Sequence, residues 1–368
     1  MSILLFILIL GFLVFVHELG HFLFAKLFGI KVDEFGFGYP PRAKKLFRWK
    51  ETLVTLNWVP FGGFVKIRGE NGPEEGSDER ELKKNDEESF HTKPAWKQIL
   101  VLSGGVIFNI LTAWILLSAF FYFLHDWVPI SMLPNNGVEA KRLVVNYVHP
   151  NSPADEAGIQ VFDEIKEYYS GNEHFLPEKY DRGEKKFYDF VRQHSDDEIG
   201  IVTYRKGKLR DVHLRTKEIE GKKRIGLSTI TEGKMDLNIL QALQFGGRET
   251  YHMAIRTVKG FWSLITGKES IKALTGPVGI AKETSHAQSL GILALISFIA
   301  LLSVNLAVIN IVPFPALDGG RILFILIEKI TRRKIPQNVF LWVNGIGFLL
   351  LILLMLFVTY QDILNLVK

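Results

Sequence analysis

The sequence contains no cysteine in its 368 residues. Disulfides are excluded, and a zinc site has to be assembled from histidine, aspartate or glutamate. It also lacks a strong excess of either charge: 44 Lys and Arg against 39 Asp and Glu leave a net +5. The basic residues are scattered through loops among acidic ones instead of forming a stripe, so nucleic acid is not an expected partner. Charged residues make up only 23% and hydrophobic ones 48%. With a positive mean hydropathy, this composition points to membrane residence. The N-terminal run MSILLFILILGFLVFV has neither the basic n-region nor the small-residue cleavage site of a secretory signal, and is expected to stay on the mature protein.

Crossing a hydrocarbon core takes about 20 mostly apolar helical residues. Four stretches qualify, at about 2–24, 99–124, 291–312 and 339–359. The loop after the first carries Lys26, Lys31, Arg42, Lys44, Lys45, Arg48 and Lys50, and the loop after the third carries Arg321, Lys329, Arg332, Arg333 and Lys334. The positive-inside rule places both loops in the cytoplasm and both termini outside. Residues 31–68 alternate aromatic and β-branched residues with Gly and Pro, as in VDEFGFGYP and LVTLNWVPFGGFVKIRGE, and predict short strands and a hairpin. Residues 69–85 read as a mobile loop. LVVNYV and IGIVTYR predict strands, and SPADEAG a capped short helix, in a compact domain over about 143–230. Residues 236–267 have the spacing of amphipathic helices.

The chemistry starts at His17-Glu18-Leu19-Gly20-His21. Histidines four apart share one helix face, and the intervening glutamate lies beside any metal they hold. On a soluble helix the same pattern would be equally well explained by a solvated face or by a pair of satisfied core histidines. Here it ends an apolar span, where uncompensated titratable groups cost several kcal/mol and are functional candidates by default. A catalytic zinc needs a third protein ligand and an open position. Asp318, in Asn310-Ile-Val-Pro-Phe-Pro-Ala-Leu-Asp318-Gly-Gly at matching depth, is the candidate. By itself, that aspartate would be better explained by capping the helix that follows.

HELGH, the NIVPFPALDGG run and Thr275-Gly-Pro-Val-Gly-Ile280 together resemble the site-2 proteases, the intramembrane zinc metallopeptidases. The nearest branch is the bacterial proteases that cleave anti-sigma factors and leftover signal peptides. The resemblance covers nearly the whole chain. FGFGYP and VPFGGFVKIRGE are similar to the family's membrane-associated β-elements, PAWKQILVLSGGVIFN to its second-span entry, and residues 143–230 to its PDZ domain. The chain has room for one PDZ domain, unlike members with two in tandem.

The resemblance implies a polytopic α-helical membrane protein of four transmembrane helices, with membrane-associated β-hairpin elements and an inserted extracytoplasmic α+β PDZ domain. Its parts would be 1–30, 31–97, 98–125, 126–232 (the PDZ domain), 233–290, 291–337 and 338–368. It implies one Zn2+ per chain on His17, His21 and Asp318, with Glu18 as general base. Asn305 and Asn310 match asparagines the family uses for substrate, and either could donate to an oxyanion or make an interhelical hydrogen bond. Substrates would be single-span membrane proteins, unwound before attack because a helix occupies its own carbonyls. Gly36, Phe37, Gly38, Gly62, Gly63 and Phe64 belong to strands that could receive the unwound segment, or serve tight turns alone. Lipid is the other implied partner, and the expected location is the bacterial inner membrane, with the site near the cytoplasmic face. The PDZ domain would either capture a peptide C-terminus or filter substrates by size. His91, His125, His252 and His286 read as surface or interfacial residues, and Phe120 to Phe123 and Trp127 as lipid-facing or interface-belt aromatics.

Overall fold

The computed structural model describes residues 2–70, 88–123, 128–129, 140–177, 183–219, 222–234, 237–270 and 274–367. In chain order its elements are α1 (Ser2–Leu27), β1 (Val32–Trp49), β2 (Thr52–Ile67), α2 (Ala95–Phe123), β3 (Val128–Pro129), β4 (Ala140–Val148) and α3 (Pro153–Glu156). There follow β5 (Glu164–Ser170), β6 (Glu173–Phe175), α4 (Gly183–Gln193), β7 (Glu198–Arg205), β8 (Lys208–Arg215), β9 (Lys217–Ile219), β10 (Lys222–Arg224) and β11 (Leu227–Lys234). The last are α5 (Ile239–Ile265), α6 (Pro277–Ser289), α7 (Ile292–Ile311), α8 (Asp318–Thr331) and α9 (Gln337–Val367). They form two compact units, one of Met1–Phe121 with Ile239–Lys368, the other Tyr122–Asn238. Most of the loop expected at 69–85, together with His125 and Trp127, lies outside the described residues.

In the first unit, four helices are long and apolar enough to cross a membrane: Leu4–Leu27, Ala95–Phe123, Ile292–Ile311 and Gln337–Leu364. They match the four apolar runs read from the sequence, each within a few residues except the last, which is longer. The crossing of α1 and α2 is set by glycine. A Cβ on Gly20 would lie 2.2 Å from the Gly104 carbonyl oxygen, so the two backbones touch where no side chain intervenes. Helix α6 starts at Gly276-Pro277, and Gly276 has no side chain with which to cap it. Asp362 of α9 fills that role, accepting the Gly279 N–H at 2.8 Å. The Thr275–Ile280 motif is thus a docking point between two helices.

The strands β1 and β2 are longer and more bent than the short hairpin expected. Residues 34–37 pair with 53–56 on one side and with 63–66 on the other, while 42–49 pairs with 52–57. The result is in effect four strands in the order 42–49, 52–59, 32–39, 63–67, which among the described residues leaves 63–67 at an edge.

The second unit closes its own core. Its seven-stranded sheet runs β3-β11-β4-β5-β7-β8, with β6 attached to β5. Period-two burial along β11 turns Leu227, Thr229 and Thr231 inward. Tyr168, Phe187, Ile199 and Ile201 are fully buried between this sheet and α4. Ser152 caps α3 by accepting from the Asp155 N–H, the short capped helix that SPADEAG predicts.

Candidate metal centre

Helix periodicity puts His17 and His21 on one face of α1, and the crossing with α2 presses that face against the second span. Gly105 leaves room for the His17 ring: a Cβ there would lie 2.5 Å from it. His21 Nδ1–H donates to the Val101 carbonyl at 2.8 Å, which leaves Nε2 unprotonated and directed inward. Asn109, fully buried on α2, sits 3.1 Å from His17 Nδ1.

Asp318 arrives from a different part of the chain. After α7 ends at Ile311, residues 312–317 turn without helix, and Asp318 opens α8. The cap position is Leu317, and no side chain caps this helix, so the aspartate is not spent there. Gly319 and Gly320 let the turn close on itself, since a Cβ on either would meet a backbone carbonyl oxygen at 2.2 Å. Arg321, one turn on, pairs with Glu70 just beyond β2 and ties α8 to the β-element.

The three side chains converge. Asp318 Oδ2 lies 3.0 Å from His17 Nε2 and 3.4 Å from His21 Nε2, and the two histidine nitrogens are 3.2 Å apart. Both histidines are buried, and Asp318 is nearly so. Among the described residues this is the only trio of such groups that could hold a metal ion. Ligands at about 2.0–2.1 Å from a tetrahedral zinc are separated by about 3.3 Å, so the triangle fits that ion. Asn109 supplies a second test. Its Nδ2 donates to His17 Nδ1, so the ring proton sits on Nε2 and donates to Asp318, while Asn109 Oδ1 is buried with no partner. A half-turn of the amide offers that orphan oxygen to an Nδ1–H and frees Nε2 for a metal, as the Val101 carbonyl does for His21.

Of the other residues singled out in the sequence, Asn310 is at the site, its Nδ2 3.4 Å from His17 Nε2. Asn305 is placed elsewhere: its Oδ1 accepts from Thr257 of α5 at 2.8 Å. The edge strand carries Gly63 and Phe64, and Gly36, Phe37 and Gly38 lie one strand further in. A Cβ on Gly63 would be 3.1 Å from the Glu18 side chain, so this edge passes directly over the glutamate. Gly38 and Gly62 have φ of +82° and +75°, where glycine is favoured. His252 and His286 are exposed, and His91 is bonded to Ser89, away from the trio. Asn109 and the Val101 carbonyl escaped the sequence reading. A lone Asn four residues after Gly104-Gly105 in an apolar span was the available signal.

Comparison with known proteins gives the family. The profile of peptidase family M50 matches residues 5–354. A Clostridium perfringens protein classed by name as a zinc metalloprotease is 35% identical, covering 95% of each chain. Zinc metalloprotease RasP of Bacillus licheniformis and regulator of sigma-W protease RasP of Bacillus subtilis are each 28% identical over 98% of both chains.

Proposed function

The chain belongs to peptidase family M50 and is a zinc metalloprotease; from that premise we propose that it cuts single-span membrane proteins, anti-sigma factors and signal-peptide remnants among them, at a locally unwound segment in or beside the bilayer. One observation carries the reading: His17 and His21, within the apolar helix Leu4–Leu27, converge with Asp318, which follows the apolar helix Ile292–Ile311, and an edge strand lies over Glu18.

His17, His21 and Asp318 would hold the zinc, which supplies Lewis acidity that lowers the pKa of water and polarises a carbonyl. Glu18 takes the proton of the attacking water and returns it to the leaving amine. Asn310, whose Nδ2 lies 3.4 Å from His17 Nε2, would donate to the oxyanion. Asn305 could offer only its NH2 end, since its carbonyl is engaged by Thr257. The substrate has to leave its helix first, and strand addition along 63–67 holds it extended with its carbonyls exposed. The basic loops support a cytoplasmic placement of this site, with both termini and the second unit outside.

The second unit we read as a PDZ domain. A cleft of about 750 Å3 lies between α4 and β11, bordered by Tyr188, Val191, Arg192 and Leu227. A captured strand would need the outward N–H groups of β11, yet Tyr188 OH already accepts the Thr229 N–H at 2.8 Å. This favours a size filter over capture of a C-terminus.

Mass spectrometry of a single-span substrate cleaved by the reconstituted enzyme tests the main reading. Cuts are expected within the apolar span or at its border, and cuts confined to soluble regions remote from it would contradict it. The filter reading expects trimmed substrates to be cut faster than those with intact ectodomains; equal rates would contradict it.

A further inference from the structure

Asp318 depends for its position on residues 312–317, a turn with few bonds of its own. Within it, Ala316 has a φ of +73°, a conformation that disfavours any residue with a Cβ. The turn's own bond, from the Leu317 N–H to the Phe314 carbonyl at 3.2 Å, closes around it, and a partner outside the turn adds to that hold. The Ala316 N–H is donated to Asn344 Oδ1 of α9 at 2.8 Å, and Asn344 Nδ2 donates to the Phe340 carbonyl one turn back at 2.8 Å. Only one orientation of the amide makes both bonds, so helix α9 itself aims the oxygen at Ala316. Three residues on, and so on the same face, Gly347 lies against the turn: a Cβ there would be 2.6 Å from Pro315 Cβ and 2.8 Å from its carbonyl oxygen. Gly345, on another face, has nothing within 4 Å of such an atom. Along the described part of α9, only Gly347, Val358 and Asp362 are buried. The buried residues of this helix thus fall at two places, and one of them is the turn that presents the carboxylate.

We propose that Asn344 and Gly347 are positioning residues for Asp318: by holding Ala316 in the left-handed conformation they keep the carboxylate in its triangle with His17 and His21, so zinc affinity depends on the docking of the fourth apolar helix. This rests on the reading of Asp318 as a zinc ligand.

The test is zinc affinity of the purified full chain, measured by chelator competition beside its melting temperature. Partners that orient ligands typically contribute 10–100-fold in affinity. Asn344→Ala and Gly347→Ala are each expected to weaken zinc about tenfold, while Gly345→Ala, the same chemical change on an open face, leaves it unaltered. Glycine adopts positive φ freely, so Ala316→Gly added to Asn344→Ala should recover several-fold of the lost affinity. A merely structural Asn344 would lower the melting temperature with zinc affinity unchanged and no rescue by glycine. Asp318→Asn separates the two levels. If it retains wild-type affinity, the ligand assignment falls and this proposal with it. If it loses zinc while Asn344→Ala and Gly347→Ala bind as the wild type does, the proposal alone is overturned.

Discussion

In the unit Tyr122–Asn238, Tyr168, Phe187, Ile199 and Ile201 have no more than a trace of exposed surface, whereas Leu349, Leu350 and Leu353 of α9 are 55%, 52% and 52% exposed. The first unit keeps much of its apolar surface outside, and among its buried residues are His17, His21, Asn109 and Ser303. A domain in water has to build a core to overcome chain entropy. Helices in lipid meet an apolar solvent already, so their close contacts can be given to small residues and polar groups around one point. Gly20, Gly104 and Gly105 are contacts of that kind, and they bring two histidines against the second span. Stability and site are therefore carried by different residues in the two units.

That separation can be broken experimentally. Asp318→Asn should have the largest effect, removing stoichiometric zinc and reducing cleavage by more than the roughly 100-fold that outer partners account for, with the fold retained; metal analysis and circular dichroism check both. Phe187→Ala is the mirror case. It should destabilise the second unit by about 3–5 kcal/mol and leave the zinc content of the full chain intact, as read by limited proteolysis beside metal analysis. Asn109→Leu removes the partner of His17 Nδ1 and should weaken zinc about 10–100-fold, measured by chelator competition. Leu353→Ala, on the exposed face of α9, should change stability by no more than about 0.5 kcal/mol; a cost as large as that of Phe187→Ala would show that the face is packed.

Much of this arrangement is written locally. The four spans follow from runs of apolar residues, and the histidine pair from helical spacing. Asp318 was legible because two prolines and two glycines mark a break in helix at the depth of that pair. The partners of the ligands were not legible. Asn109 meets His17 across 92 positions of chain, and no periodicity states which face of α2 meets α1. The same holds for Asn344 and Ala316, where the need for a partner arises from a backbone angle that the letters do not carry. Strand propensity in residues 32–67 was plain, but the pairing of 34–37 with two neighbours depends on register, which turns and bulges decide. Asn305 and Asn310 look alike in the sequence, and only packing sends one to Thr257 and the other to His17.

The central claim is that zinc sits on His17, His21 and Asp318 with Glu18 as the base beside it. Its most direct test is zinc content and cleavage of a single-span substrate by Glu18→Gln next to the wild type. One zinc per chain in both, with cleavage by the variant reduced about 100-fold or more, is the predicted result; equal cleavage by the two proteins would contradict it.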